Sequence, residues 1–279
     1  MSRASITDRD GSRASARAAR ARSRPAPAQG EHHMSKRIAV VSGGIGGLGS
    51  EICKTLARAG RRVIAIDLAS REERIAAFRD EVRGLDVRFE AANVADYDDC
   101  AGTVERIHRE EGAIDILVNA AGITRDTSLR KMDKRQWDEV LGVNLDGVFN
   151  LCRHAVDGMA ERGFGRIVNI SSVNGQTGQF GQTNYSAAKA GMHGFTMALA
   201  REVARKGVTV NSVSPGYCET AMVMAVPEDI RAKIVDSVPV GRLGKPSEIA
   251  RTVEFLTAED AGFITGANIP VNGGLFMSF

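Results

Sequence analysis

The sequence predicts one doubly wound α/β domain: a parallel sheet of seven strands with helices on both faces. Three observations carry that reading. Short apolar, β-branched runs alternate with longer helical stretches from residue 36 onward, and such alternation implies a parallel sheet built by right-handed crossovers. The runs are nearly continuous in Val, Ile and Leu, as strands covered on both faces are. A glycine cluster follows the first run directly, where a strand hands over to a helix within a few residues.

The elements follow in order. RIAVVS (37–42) is the first strand, and GGIGGLG (43–49) turns the chain into a helix that runs to Arg58 and is closed by Gly60, a residue suited to the left-handed backbone past a helix end. RVIAID (62–67) is the second strand. VRFEAANV (87–94), IDILVNAAG (114–122), RIVNIS (166–171) and VTVNSVSPG (208–216) come next, each separated by helical sequence, and a short strand at 268–271 closes the series. No repeat of solenoid length and no linker interrupts residues 34–279, so one domain is expected there.

Residues 1–33 differ in kind. They are rich in Arg, Ala and Ser, carry Pro25 and Pro27, and contain almost no large apolar residues. Such a segment cannot bury enough surface to offset its ordering entropy, so a disordered extension outside the fold is expected. A transit peptide has this Arg/Ser bias, but Asp8, Asp10 and Glu31 count against one. A basic arm for nucleic acid would interleave aromatics, which are missing. An inert extension upstream of Met34 is the reading that remains.

Composition narrows the function classes. The segment holds seven arginines against two aspartates and one glutamate, so the whole chain's +3 leaves about −1 on residues 34–279; a nucleic-acid partner is not expected. Hydrophobic content of 43% with 25% charged residues suits a soluble chain with a sizeable core. No apolar run approaches the roughly 20 residues of a bilayer span, so no membrane partner is expected either. Cys53, Cys100, Cys152 and Cys218 lack paired spacing, which argues against a metal site and a disulfide framework and for reduced thiols in the cytoplasm.

The glycine cluster has a specific chemistry. Gly43, Gly47 and Gly49 sit between the first strand and the first helix, where a bare backbone can approach a pyrophosphate held on the helix N-terminus. Asp67 ends the second strand, eighteen residues beyond Gly49, the range for a carboxylate that binds an adenosine ribose. Together they predict a Rossmann-type dinucleotide site. A carboxylate accepts from both ribose hydroxyls and repels a 2′-phosphate, so NAD(H) is favoured. Arg71 and Arg74 follow closely and keep NADP(H) open as the alternative, unless Arg71 pairs with Asp67.

The stretch 167–189, IVNISSVNGQTGQFGQTNYSAAK, carries a second chemistry. It starts as a buried strand, passes a Gly/Gln-rich loop and ends in Ala-rich helical sequence. Tyr185 and Lys189 are four apart, hence on one helix face. A cation beside a phenol lowers its pKa from about 10 towards the range of useful proton transfer. Ser172, at the strand end, places a hydroxyl where it can hold a polarised carbonyl oxygen. This trio points to carbonyl reduction or its reverse. Asn169 and Asn174 read as strand and turn caps, and His154 and His193 as packing or solvated residues.

These motifs together resemble the short-chain dehydrogenase/reductase family over residues 34–279. The family's glycine motif stands here as Ser42, Gly43, Gly47, Leu48 and Gly49, with Ser where Thr is common. Its Asn-Asn-Ala-Gly motif is Asn119-Ala120-Ala121-Gly122, and its Asp-Val adenine contact is Asn93-Val94. The resemblance implies a catalytic set of Asn144, Ser172, Tyr185 and Lys189, with Lys189 also on the nicotinamide ribose and Asn144 holding a water. It implies nicotinamide contacts from Pro215, Gly216 and Thr220. The segments GITRD (122–126), RKM (130–132), 165–200 and VSPGY (213–217) are similar to acetoacetyl-CoA reductases of the polyhydroxybutyrate pathway. That similarity implies substrate contacts at Asp126, Lys131, Gln179, Phe180, Gln182 and Tyr217, a small-molecule acyl-CoA substrate, an (R)-3-hydroxyacyl-CoA product and a homotetramer. Arg125, Arg130, Lys131, Lys134 and Arg135 crowd the neighbouring segment, where coenzyme A phosphates could approach; for most of them a solvated helix face with Asp126 and Asp133 as local partners is the expectation. Many members of that group use NADPH, in tension with Asp67. A 3-oxoacyl-(acyl carrier protein) reductase shares every catalytic residue and is the alternative. A non-catalytic NAD-binding protein would have no need of the intact set.

Overall fold

Apolar residues at a period of two on each strand divide the interior into two layers. A computed structural model describes residues 36–277; the extension expected at 1–33 lies outside the described residues. The strands are β1 (Ile38–Ser42), β2 (Arg62–Asp67), β3 (Val87–Ala91), β4 (Ile114–Asn119), β5 (Gly165–Ile170), β6 (Val208–Pro215) and β7 (Asn268–Val271). They form one sheet in the order β3-β2-β1-β4-β5-β6-β7, every neighbour parallel. The chain leaves β1 towards β2 and β3, then returns to start β4 on its other side. That reversal opens a crevice at the carboxyl ends of β1 and β4.

The helices are α1 (Gly47–Arg58), α2 (Glu72–Glu81), α3 (Tyr97–Glu110), α4 (Lys134–Leu141), α5 (Gly147–Arg162), α6 (Asn174–Thr177), α7 (Thr183–Val203), α8 (Ala221–Met224), α9 (Glu228–Ser237) and α10 (Pro246–Leu256). Ala39 and Val41 of β1 and Val63 and Ala65 of β2 face one layer, with Leu56 of α1, Phe78 of α2 and Val253 of α10. Val40, Ile64 and Ile66 face the other, with Ile107 of α3, Leu151 of α5 and Met192 of α7. The inner strands β1, β4, β5 and β6 are buried along their length, whereas β3 and β7 are only partly covered. Pro270 sits in β7, at the sheet edge where a missing N–H costs no ladder bond.

Several strands end sooner than the sequence predicts. Those expected over 87–94, 114–122 and 208–216 stop at Ala91, Asn119 and Pro215, and the one expected over 166–171 runs Gly165–Ile170. The residues released peel away from the ladder as loops lining the crevice. At the opposite, amino end of the sheet, Phe164 lies between the guanidinium groups of Arg37 and Arg166, 3.8 and 4.4 Å from its ring centre. Arg37 also pairs with Asp115 and Glu259, and Arg166 donates to the carbonyls of Ala258 and Glu259.

Candidate active site

The carboxyl ends of β1, β2, β4, β5 and β6 surround one cavity of about 700 Å3. Its nucleotide end is built by close approach. Gly43 has φ +64°, and a Cβ there would lie 2.7 Å from Ala121 Cα. A Cβ on Gly49 would lie 2.1 Å from the Gly43 carbonyl oxygen, so α1 can start against the turn only with glycine. Ser42 Oγ accepts from the Ala120 and Ala121 N–H groups at 3.1 and 3.3 Å, tying the first turn to the loop after β4. The N-cap of α1, Gly46, brings no side-chain cap, and Gly43, Gly47, Leu48 and Gly49 line the cavity. The amides that open α1 thus stand ready for an anion. These features fit a dinucleotide.

Asp67 lines the same end. Its carboxylate accepts from the Leu68 N–H at 2.9 Å and pairs with Arg71 at 3.4 Å. Arg74 is engaged elsewhere: its Nε donates to the Ile45 carbonyl at 2.6 Å and its guanidinium pairs with Glu81. Asn93, Val94, Ala120, Gly122, Pro215, Gly216 and Thr220 all line the cavity. Asn93 Oδ1 caps its own turn by accepting from Ala95 N–H. A Cβ on Gly47 would touch Thr220 Cγ2 at 3.0 Å, so the loop after β6 reaches the glycine turn. Asn119 does not reach the cavity wall: its Nδ2 donates to Asn169 Oδ1 at 2.8 Å inside the core. The Asn119 side chain is therefore not available for the expected cofactor contact, which falls to its neighbours Ala120 and Gly122 in the same segment if it is made.

Ser172, Tyr185 and Lys189 meet at the cavity's other end. Lys189 is buried, and its Nζ lies 5.6 Å from the Tyr185 ring centre and donates to the Ile170 carbonyl at 2.7 Å. Ser172 Oγ accepts from the Asn174 N–H at 3.1 Å, which leaves the hydroxyl hydrogen for the phenol oxygen. Asn144 occupies a π-helical turn, Gly142–Asp146, between α4 and α5, a distortion frequent at functional sites. Its Oδ1 accepts from Ile123 N–H at 2.8 Å and its Nδ2 donates to Ile123 O at 2.9 Å. A Cβ on Gly122 would lie 3.2 Å from Asn144 Oδ1 and 3.7 Å from Lys189 Nζ, so Asn144 stands one layer behind the cavity, bracing the loop after β4.

The electrostatics correct one expectation. Burial pushes the Tyr185 phenol above its ordinary value, opposed by the hydrogen bond from Ser172 and reinforced by Asp126. Burial likewise lowers Lys189 to about 8. The phenol is not lowered overall, because desolvation disfavours its charged form.

The expected substrate residues divide. Gln182 and Tyr217 line the cavity. Asp126 stands one hydrogen bond behind, accepting from Gln182 Nε2 at 2.8 Å. Lys131, Gln179 and Phe180 are exposed on loops beside the mouth, Phe180 at 90%. Of the basic run, Arg125 and Arg135 pair with Glu139 and Lys134 pairs with Asp138. Among the described residues no carboxylate pairs with Arg130 or Lys131. His193 is neither solvated nor mere packing: its ring bridges Ser171 Oγ and Ser212 Oγ at 3.1 and 3.2 Å. From the sequence Ser42 reads only as a motif position and Asn174 only as a turn cap; the structure adds that Ser42 Oγ ties the first turn to the loop after β4 and that the Asn174 N–H donates to Ser172 Oγ.

The family model described as enoyl-(acyl carrier protein) reductase matches residues 43–276. An acetoacetyl-CoA reductase of Allochromatium vinosum is 56% identical over 86% of this chain and 99% of its own length. An acetoacetyl-CoA reductase of Cupriavidus necator is 53% identical over 88% of this chain and all of its own length. A 3-oxoacyl-[acyl-carrier-protein] reductase of Vibrio harveyi is 44% identical over 88% and 99%. With its glycine turn, its Ser172–Tyr185–Lys189 cluster and these full-length relatives, the chain belongs to the short-chain dehydrogenase/reductase family.

Proposed function

We propose that this enzyme reduces the 3-keto group of acetoacetyl-CoA to give (R)-3-hydroxybutyryl-CoA, with NADH as reductant. The observation that carries the reading is one cavity with a nucleotide cradle at one end and Ser172, Tyr185 and Lys189 at the other. Gly43, Gly47, Gly49, Asp67, Asn93, Val94 and Gly122 would hold the dinucleotide, and Pro215, Gly216 and Thr220 its nicotinamide. A bound reduced nicotinamide supplies the hydride. Tyr185 gives its phenolic proton to the alkoxide oxygen that forms at C3, and burial keeps that proton in place before the reaction. Ser172 donates to the same oxygen. Lys189, held by the Ile170 carbonyl, supplies positive charge that favours the phenolate left behind. Asn144 braces the loop beside Lys189.

NADH is preferred because Asp67 lines the ribose end while Arg71 pairs with it and Arg74 is engaged by Glu81 and Ile45. A 2′-phosphate would meet a carboxylate with no uncommitted guanidinium opposite. Steady-state rates with NADH and NADPH on acetoacetyl-CoA test both parts. The expected result is a kcat/KM at least tenfold higher with NADH, about 1.4 kcal/mol; a preference for NADPH overturns the cofactor assignment. Reduction of a 3-ketoacyl carrier protein is the second reading, favoured by exposed, uncompensated Arg130 and Lys131, which suit an acidic partner as well as a phosphate. Faster turnover of the carrier-protein thioester in direct competition decides for it. A homotetramer is the assembly proposed, tested by sedimentation equilibrium.

A further inference from the structure

The residues that flank Ser172 and the mouth are joined in a way that neither role explains. Asn174 opens α6, two residues past Ser172, and touches both sides. Its backbone N–H donates to Ser172 Oγ at 3.1 Å. Its side-chain Nδ2 donates to Gln182 Oε1 at 2.9 Å, and Gln182 Nε2 in turn donates to Asp126 Oδ2 at 2.8 Å. Three segments are thereby fastened around the mouth: the turn after β5 and the start of α7, eight residues apart, and the distant loop after β4. A second backbone bond, Thr127 N–H to Gly181 O at 2.8 Å, holds two of them together. The turn has no slack beneath it, because a Cβ on Gly175 would lie 2.8 Å from the backbone of Lys189.

The polarity of this chain is set by one group. A carboxylate at Asp126 accepts only, so Gln182 must offer it nitrogen; the opposite end of the amide is oxygen and needs a donor. Asn174 is that donor. With Oε1 facing Asn174 and one N–H facing Asp126, Gln182 retains one N–H for the cavity it lines. We infer that Asn174 is a positioning residue for substrate: it orients Gln182 so that the site presents a hydrogen-bond donor to a ligand carbonyl, and it couples that orientation to Ser172. The inference rests on the proposed reduction of a 3-ketoacyl thioester, whose second carbonyl is the group such a donor would hold.

Two variants and two readouts test it. Asn174→Ala removes the donor; Asn174→Asp keeps the shape but presents only acceptors, so Gln182 Oε1 loses its donor and the amide loses its fixed orientation. For both, the expected result is a KM for acetoacetyl-CoA raised roughly tenfold, with kcat changed less than about threefold. In a Gln182→Ala background the Asn174→Ala change should move KM by less than about twofold, as expected when one residue acts through the other. Losses that multiply, or an unchanged KM in the single variants, overturn it. Neutron diffraction from crystals of wild type and Asn174→Asp without ligand reads the amide orientation directly. The wild-type arrangement, Oε1 on residue 174 with an N–H on Asp126, should be lost in the variant; its survival overturns the inference whether or not acetoacetyl-CoA is the substrate. Failure of the wild type to reduce acetoacetyl-CoA counts against the proposed function alone.

Discussion

A buried amine and a buried phenol side by side set the working range of the site. Lys189 lies near 8 against an ordinary 10.5, and Tyr185 is held above its ordinary 10. Near neutrality the phenol is therefore protonated, ready to donate, and the ammonium is still largely charged. As pH rises through about 8 the ammonium is lost first. We expect kcat/KM for reduction to fall about tenfold per unit above that point; a profile flat to pH 10 would separate Lys189 from the chemistry. The same shift has a stability consequence. Between about 8 and 10.5 the unfolded chain holds the Lys189 proton that the fold has released, so this group makes stability rise with pH across that window. Measured against Lys189→Met, the wild type should gain ground in Tm between pH 7 and pH 10.5. Tyr185→Phe should lower the reduction rate by about a thousandfold, the middle of the range for a general acid, with NADH binding by fluorescence unchanged.

Among the elements, α1 and α7 carry the site, and they tolerate change differently. A methyl on Gly49 would sit 2.1 Å from a backbone oxygen, which cannot yield as a flexible side chain can. Gly49→Ala is expected to displace the start of α1, lower Tm by several degrees and weaken NADH binding tenfold or more. Isothermal titration and a melting curve check both, and wild-type values would show that the turn has more room than its geometry allows. These two helices were also the most legible from sequence, because each depends on neighbours in the chain: glycines after a strand, and Tyr185 and Lys189 one turn apart. The π-helical turn at Gly142–Asp146 had no such signal, since it answers to Ile123, some twenty residues away. Asn119 turned inward for a similar reason: its partner Asn169 is fifty residues distant. The Gln182–Asp126 link was hidden by a similarly long separation, fifty-six residues, and burial reversed the expected direction at Tyr185 because local spacing carries no measure of desolvation.

At the scale of the molecule, the doubly wound parallel class was readable because strand burial and crossover handedness leave few topologies. Where each strand ends was not, because that depends on where its neighbours stop. Among the described residues no helix is long and apolar enough to cross a membrane. The domain proposed over residues 34–279 makes a direct prediction: deleting residues 1–33 should leave Tm and reduction kinetics within error of the full chain. A loss of either would give the extension a part in folding or turnover.

The stacked Arg37, Phe164 and Arg166 stand at the amino edge of a sheet whose chemistry is confined to its carboxyl edge. Hardening against heat and retuning of substrate choice can accordingly be pursued as two independent engineering tasks, each confined to its own pole of the protein.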